Sequence, residues 1–213
     1  MEVKQNNLIN SLKIQPLIVV IRLDSDFFNT PCKRDKLLSK IKQISNYGIR
    51  NIEIGWDENP EWFDLISEIK NVFQYINLGA ASISSLQALD SILSLNLNYS
   101  MSPVFNREIH LKAIKYNQLI IPGIKNIESF KEAIKLGYKI IKIFPASKLG
   151  IHFLNQLKEL KRNNIFFIGA GGIKSRDLKK LLQDGYNALV IGRELPNQIP
   201  DKDLEIWLKD CSI

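Results

Sequence analysis

The chain has 213 residues, enough for one domain with a substantial core, and 45% hydrophobic with 24% charged residues excludes disorder, collagen and a disulfide scaffold. Its net charge of +7 reflects 29 Lys and Arg against 22 Asp and Glu. The two signs alternate along the chain, as in Lys33-Arg34-Asp35-Lys36, which marks solvated helix faces more than a nucleic-acid footprint and suits capture of a small anion.

The longest apolar run, Leu17–Ile21, falls far short of the roughly 20 residues of a membrane span and is also shorter than a signal-peptide core. The expectation is a cytoplasmic protein with neither membrane nor nucleic acid as partner. Cys32 and Cys211 stand far apart, and His110 and His152 share no ligand spacing, so neither a metal nor another cofactor is expected.

In chain order, a helix over 1–15 precedes short β-branched runs at 17–22, 50–56, 75–79, 98–102, 119–122, 138–144, 165–169 and 188–192. Amphipathic stretches at 34–47, 61–73, 85–95, 128–136, 152–161 and 176–183 alternate with them. Asn59-Pro60 reads as a helix start, and Gly48, Gly137 and Gly185 fall where helices should stop. Eight strands is the number that closes a parallel barrel, so a single (β/α)8 TIM barrel is expected over an open doubly wound sheet. Residues 1–213 then form one domain: an N-terminal helix at 1–15, a barrel core at 16–195 and a C-terminal helix at 196–213.

Barrel strands are covered on both faces, so a charge within one is costly unless paired. Arg22 ends the first strand, Glu53 interrupts Ile52-Glu53-Ile54, and Lys142 interrupts Ile141-Lys142-Ile143. Alternation sends Ile52 and Ile54 to one face and Glu53 to the other, the barrel interior. All three lie toward carboxyl ends of strands, where barrel enzymes keep their chemistry. Lys139 falls on the opposite face from Lys142, near the start of its strand. An exposed lysine is neutral in only about one molecule in a few thousand at pH 7, but burial lowers its pKa and turns it into a nucleophile for a ketone. A carboxylate such as Glu53 can then move protons, and Arg22 suits a substrate carboxylate. The loop Gly169-Ala170-Gly171-Gly172-Ile173 offers bare amides before a helix N-terminus, a cradle for an anion.

These residues resemble the 2-keto-3-deoxy-6-phosphogluconate (KDPG) and 2-keto-4-hydroxyglutarate (KHG) aldolases, including the 2-keto-3-deoxy-6-phosphogalactonate aldolases. The most specific element is Ile141-Lys142-Ile143-Phe144-Pro145-Ala146-Ser147, similar to the family segment that carries a Schiff-base lysine. Val20-Ile21-Arg22, Ile52-Glu53-Ile54, Gly79-Ala80-Ala81-Ser82, Ser102-Pro103, Pro122-Gly123 and Gly171-Gly172-Ile173 follow in the family's order, and Asn59-Pro60-Glu61-Trp62 resembles the galactonate-type members. The resemblance implies a class I aldolase that releases pyruvate and an aldehyde from a 2-keto-4-hydroxy acid. Lys142 and Glu53 would be catalytic; Arg22, Ser82, Pro103, Phe144, Gly171, Gly172 and Arg193 would bind substrate. It also implies a homotrimer.

Three departures concern the aldehyde end. Asp57 stands where many members have an arginine, Ala81 replaces a glycine, and Arg193-Glu194 follow Gly192 where the family has glycine and serine. Whether the aldehyde is phosphorylated therefore stays open. So do two other readings: a phosphate-binding isomerase or epimerase using Glu53 as base, and a non-catalytic keto-acid binder.

Overall fold

The computed structural model describes residues 1–160, 165–192 and 202–210. Helix α1 (Glu2–Ile14) is followed by β1 (Leu17–Ile21), α2 (Cys32–Asn46), β2 (Asn51–Gly55), α3 (Glu61–Val72), β3 (Asn77–Ala81), α4 (Leu86–Leu95), β4 (Tyr99–Met101) and α5 (Arg107–Lys115). Then come β5 (Ile120–Ile121), β6 (Gly123–Ile124), α6 (Ile127–Lys135), β7 (Ile140–Ile143), α7 (Ala146–Leu160), β8 (Phe166–Ala170), α8 (Leu178–Gln183), β9 (Ala188–Ile191) and α9 (Lys202–Asp210). Every ladder is parallel, in the order β5-β4-β3-β2-β1-β9-β8-β7-β6.

The two ends of that order are halves of one extended stretch. Proline has no N–H to give a ladder, so the fifth strand is interrupted at Pro122. On one side Ser102 N–H donates to Ile121 O (3.0 Å), and on the other Lys142 N–H donates to Pro122 O (3.0 Å). The stretch thereby joins β4 to β7, and the nine ladder segments make an eight-stranded TIM barrel. Only glycine fits the junction, because a Cβ on Gly123 would lie 2.3 Å from Pro103 O.

The anticipated alternation holds in β2, where Ile52 and Ile54 pack outward, fully buried, and Glu53 faces the interior. Helix α3 starts one residue later than Asn59-Pro60 implies, with Pro60 as its cap, and Asn59 Oδ1 accepts from Glu61 N–H at 2.9 Å. Gly48, Gly137 and Gly185 all adopt positive φ at helix ends (84°, 84° and 110°). The third strand begins two residues later than its sequence pattern, because Tyr75 is 53% exposed in the turn before it. Helix α7 begins six residues before its anticipated start and bends at Gly150 (φ 68°, ψ 179°). Helix α5, capped by Asn106 Oδ1, was not anticipated. At the amino-terminal end, α1 closes the barrel: Leu8 and Leu12 are buried, and Glu2 pairs with Lys139.

Outside the barrel wall, His110 is completely buried between two partners. Its Nδ1 lies 2.7 Å from Tyr138 Oη and its Nε2 3.2 Å from Ser102 Oγ, which also accepts from Gly123 N–H (3.3 Å). This chain ties α5 to the fifth-strand junction. Burial, with a smaller push from the Lys142 charge, pulls the His110 pKa down to about 3, so the imidazole is neutral. A depressed folded pKa stabilises the protein above the unfolded value near 6.5, and that stability is lost as pH falls through about 3. Between pH 7 and pH 5, chemical denaturation should show wild type losing roughly 2 kcal/mol relative to His110→Gln; equal slopes in both proteins would refute the account.

Candidate active site

A cavity of about 340 Å³ opens at the carboxyl ends of the strands. Arg22 reaches it from the end of β1, Glu53 from β2, Ser82 from the end of β3 and Pro103 from the end of β4. Lys142 and Phe144 enter from β7 and just beyond it, and Gly171 and Gly172 from the loop after β8. Of the anticipated site residues, Arg193 alone is missing from this set; it lies, with Glu194, outside the described residues.

Lys142 owes its place to alternation in β7. Ile141 and Ile143 face the helices, fully buried, which turns Lys142 inward, where it is 7% exposed. Its Nζ sits 5.5 Å above the centroid of the Phe144 ring, a cation-π contact that replaces part of the lost hydration. Burial holds the amine pKa well below 10.5; the Glu53 carboxylate opposes this shift and the Arg22 charge reinforces it.

Glu53 is 1% exposed, and its Oε1 has no hydrogen-bond partner among the described residues. Burial pushes its pKa far above the usual carboxylate range, against the attraction of Lys142 and Arg22. One cavity thus holds an amine inclined to be neutral and a carboxyl inclined to keep a proton. The pair can supply a nucleophile and an acid or base together.

At the next strand end, Arg22 Nη1 donates to Ser82 Oγ at 3.1 Å. Ser82 has φ 68°, a left-handed conformation that a serine adopts at some cost and that recurs at functional sites. It is pinned on both sides, with Trp56 N–H donating to Ala81 O (2.9 Å) and Ile83 N–H to Met101 O (3.0 Å). The Arg22 and Ser82 pair can hold a carboxylate.

The opposite wall is built by close packing of two loops. A Cβ on Gly171 (φ 90°) would lie 2.8 Å from the Phe144 ring, and one on Gly172 (φ 72°) 2.3 Å from Ser147 Oγ. Ser147 N–H donates to Gly171 O at 3.2 Å. The helix read at 176–183 is found with its first residue at Leu178, preceded by a 3₁₀ turn at Ser175–Asp177. The first turn of α7 borders the cavity instead and brings Lys148, which sequence reading overlooked. The signal was its position six residues after Lys142, past the Phe144-Pro145 turn at a helix start.

Asp57 is absent from the cavity border, and its Oδ1 accepts from Asn59 N–H at 2.9 Å, committed to its own loop. Trp56 does not border the cavity either.

The family model for KDPG and KHG aldolases matches residues 8–205. The chain is similar to the 2-dehydro-3-deoxy-6-phosphogalactonate aldolase of Escherichia coli (strain K12), 23% identical over 181 residues that cover 84% of each protein. Its fold is similar to that of the Zymomonas mobilis ZM4 2-keto-3-deoxy-6-phosphogluconate aldolase with 3-phosphoglycerate, with a TM-score of 0.77 and 19% identity over 96% of this chain and 94% of that one. A KDPG aldolase from Legionella pneumophila, with pyruvate captured as a covalent carbinolamine intermediate, gives a TM-score of 0.75 and 19% identity over 94% of both chains. The family match spans nearly the whole barrel and includes every strand whose end contributes to the cavity, and on that ground this chain is a member of the KDPG and KHG aldolase family, an enzyme of the lyase class.

Proposed function

We propose that this enzyme is a class I aldolase that cleaves a 2-keto-4-hydroxy acid to pyruvate and an aldehyde through a Schiff base on Lys142. The observation that carries the reading is the buried Lys142 amine sharing one cavity with the buried Glu53 carboxyl, each shifted toward its neutral form. Arg22 and Ser82 bind the C1 carboxylate. The neutral amine attacks the C2 carbonyl, and loss of water leaves a protonated ketimine. Ionised Glu53 takes the proton of the C4 hydroxyl; the C3–C4 bond breaks, its electrons pass into the iminium, and the aldehyde departs. Protonation of the resulting enamine at C3 and hydrolysis of the imine release pyruvate and restore the amine.

The far end of the substrate meets Lys148 and the Gly171-Gly172 backbone. Among described residues bordering the cavity, Arg22, Lys142 and Lys148 are cationic and Glu53 is the acid. With Arg22 assigned to C1 and Lys142 to C2, Lys148 is the cation left for the aldehyde end. This balance favours an aldol with an anionic tail, a 2-keto-3-deoxy-6-phospho sugar acid or 4-hydroxy-2-oxoglutarate.

Incubation with pyruvate and borohydride should leave one reduced adduct, mapped by mass spectrometry to Lys142, and Lys142→Ala should lose the adduct and roughly 10⁴-fold in kcat. Retention of near-wild-type cleavage by that variant would end the Schiff-base reading; an unmodified wild-type protein would favour the isomerase or epimerase.

Trapping rate against pH should rise along a limb lying below 10.5, because the depressed pKa frees the amine at lower pH. Glu53→Gln removes the charge that retains the ammonium proton, so the limb moves to still lower pH while cleavage falls about 10²- to 10⁴-fold. An unmoved limb would show that the two groups are not coupled.

Lys148→Ala should raise KM about tenfold for an anion-tailed aldol relative to one with an uncharged tail, the worth of one exposed charge-assisted contact. Equal effects on both substrates would remove Lys148 from the aldehyde subsite.

A further inference from the structure

We propose that Tyr99 positions Glu53 from inside the barrel: its hydroxyl crosses over Gly79 toward the carboxyl and donates to Glu53 Oε1 through one bridging water. The inference rests on the Schiff-base reading, which gives Glu53 its task.

Register supplies the first step. Glu53 pairs with Gly79, and Gly79 with Tyr99. Residues opposite one another in a ladder share a face of the sheet, so all three face the interior. Gly79 supplies the second. A Cβ there would lie 2.6 Å from Tyr99 Cζ and within 3.0 Å of both Cε atoms. The far end of the phenol therefore lies on β3, and the hydroxyl borne by Cζ is carried from β4 across β3 toward β2, the strand of Glu53.

The polar accounting supplies the third step. Four buried side-chain polar atoms lack a hydrogen-bond partner among the described residues, and two of them are Tyr99 Oη and Glu53 Oε1. Tyr99 is fully buried and Glu53 is 1% exposed. Leaving a buried polar group unpaired is costly, so two on one layer point to a shared water. Burial, and then the Glu53 charge, hold the Tyr99 pKa well above 10, so the hydroxyl remains a donor when the carboxylate ionises.

The charged groups facing Glu53 from its other neighbours are Lys142 of β7 and Arg22 beyond β1, both at the cavity. Strand β3 contributes only Gly79. His110 lies outside the wall, engaged by Ser102 and Tyr138. Tyr99 thus offers Glu53 a donor on the interior side that no substrate displaces, favouring ionised Glu53 and fixing its orientation.

The test is exchange of the pyruvate methyl protons in D₂O, followed by NMR from pH 5 to 9 in wild type and Tyr99→Phe, with borohydride trapping on the same samples. Loss of the donor destabilises ionised Glu53, so the acidic limb of exchange should move up by about one pH unit while Lys142 is still trapped. An unmoved limb in Tyr99→Phe that melts as a folded protein overturns the inference. A wild type that neither exchanges nor is trapped overturns the Schiff-base reading instead. A high-resolution crystal structure of the wild type gives a check free of any variant: a water within hydrogen-bond distance of both Tyr99 Oη and Glu53 Oε1 supports the proposal, and a dry gap between them overturns it.

Discussion

An amine kept inside a barrel wall gives up most of its hydration, and the surrounding structure determines whether it then stays charged. Lys142 receives a cation-π contact from Phe144 but no ion pair with Glu53 among the described residues, although the carboxyl borders the same cavity. A tight salt bridge would hold both groups in their charged forms and quench them as acid, base and nucleophile. Leaving them in one cavity but unpaired lets desolvation dominate both, so each is shifted toward its neutral form.

That arrangement depends on where the barrel lacks side chains. Gly123 lets the fifth strand approach Pro103 closely enough to close the ring, and Pro122 lends its carbonyl to the Lys142 amide. Gly171 and Gly172 let Phe144 and Ser147 seat against the loop after β8. Gly79 leaves the space into which Tyr99 extends. In each case a missing Cβ sets the position of a polar or aromatic group on a neighbouring segment, so these glycines shape the cavity through what they allow to pack against them.

The parts of this design legible in the sequence are those with a period. Alternation placed Glu53 and Lys142 on the interior face, and the βα alternation announced an eight-stranded barrel. Charges inside apolar runs were conspicuous because a covered strand tolerates them poorly. What escaped was whatever depends on contact between distant segments. Lys148 looks like any lysine at the start of a solvated helix until two loops pack and bring that turn to the cavity. Tyr99 reads as a core aromatic, since its pairing across Gly79 is a matter of register. His110, with no ligand spacing to another histidine, gave no sign that Ser102 and Tyr138 would lock it neutral. Asp57 showed the reverse failure: it seemed to threaten anion binding, yet its carboxylate serves its own loop.

The cavity is asymmetric in a way that bears on selectivity. At the Arg22 end, backbone hydrogen bonds on both sides of Ser82 fix a strained serine that accepts from the guanidinium, so the groups proposed to meet the keto-acid end are preorganised. At the other end, Lys148 is exposed on a long flexible stem beside glycine-rich backbone. A point charge of that kind attracts phosphate or carboxylate without demanding one geometry, whereas a bidentate guanidinium rewards one planar arrangement. On the proposed Schiff-base reading, the same barrel would be strict about the half of the substrate that becomes the imine and permissive about the half that leaves, because only the first must be aligned with the reacting orbitals.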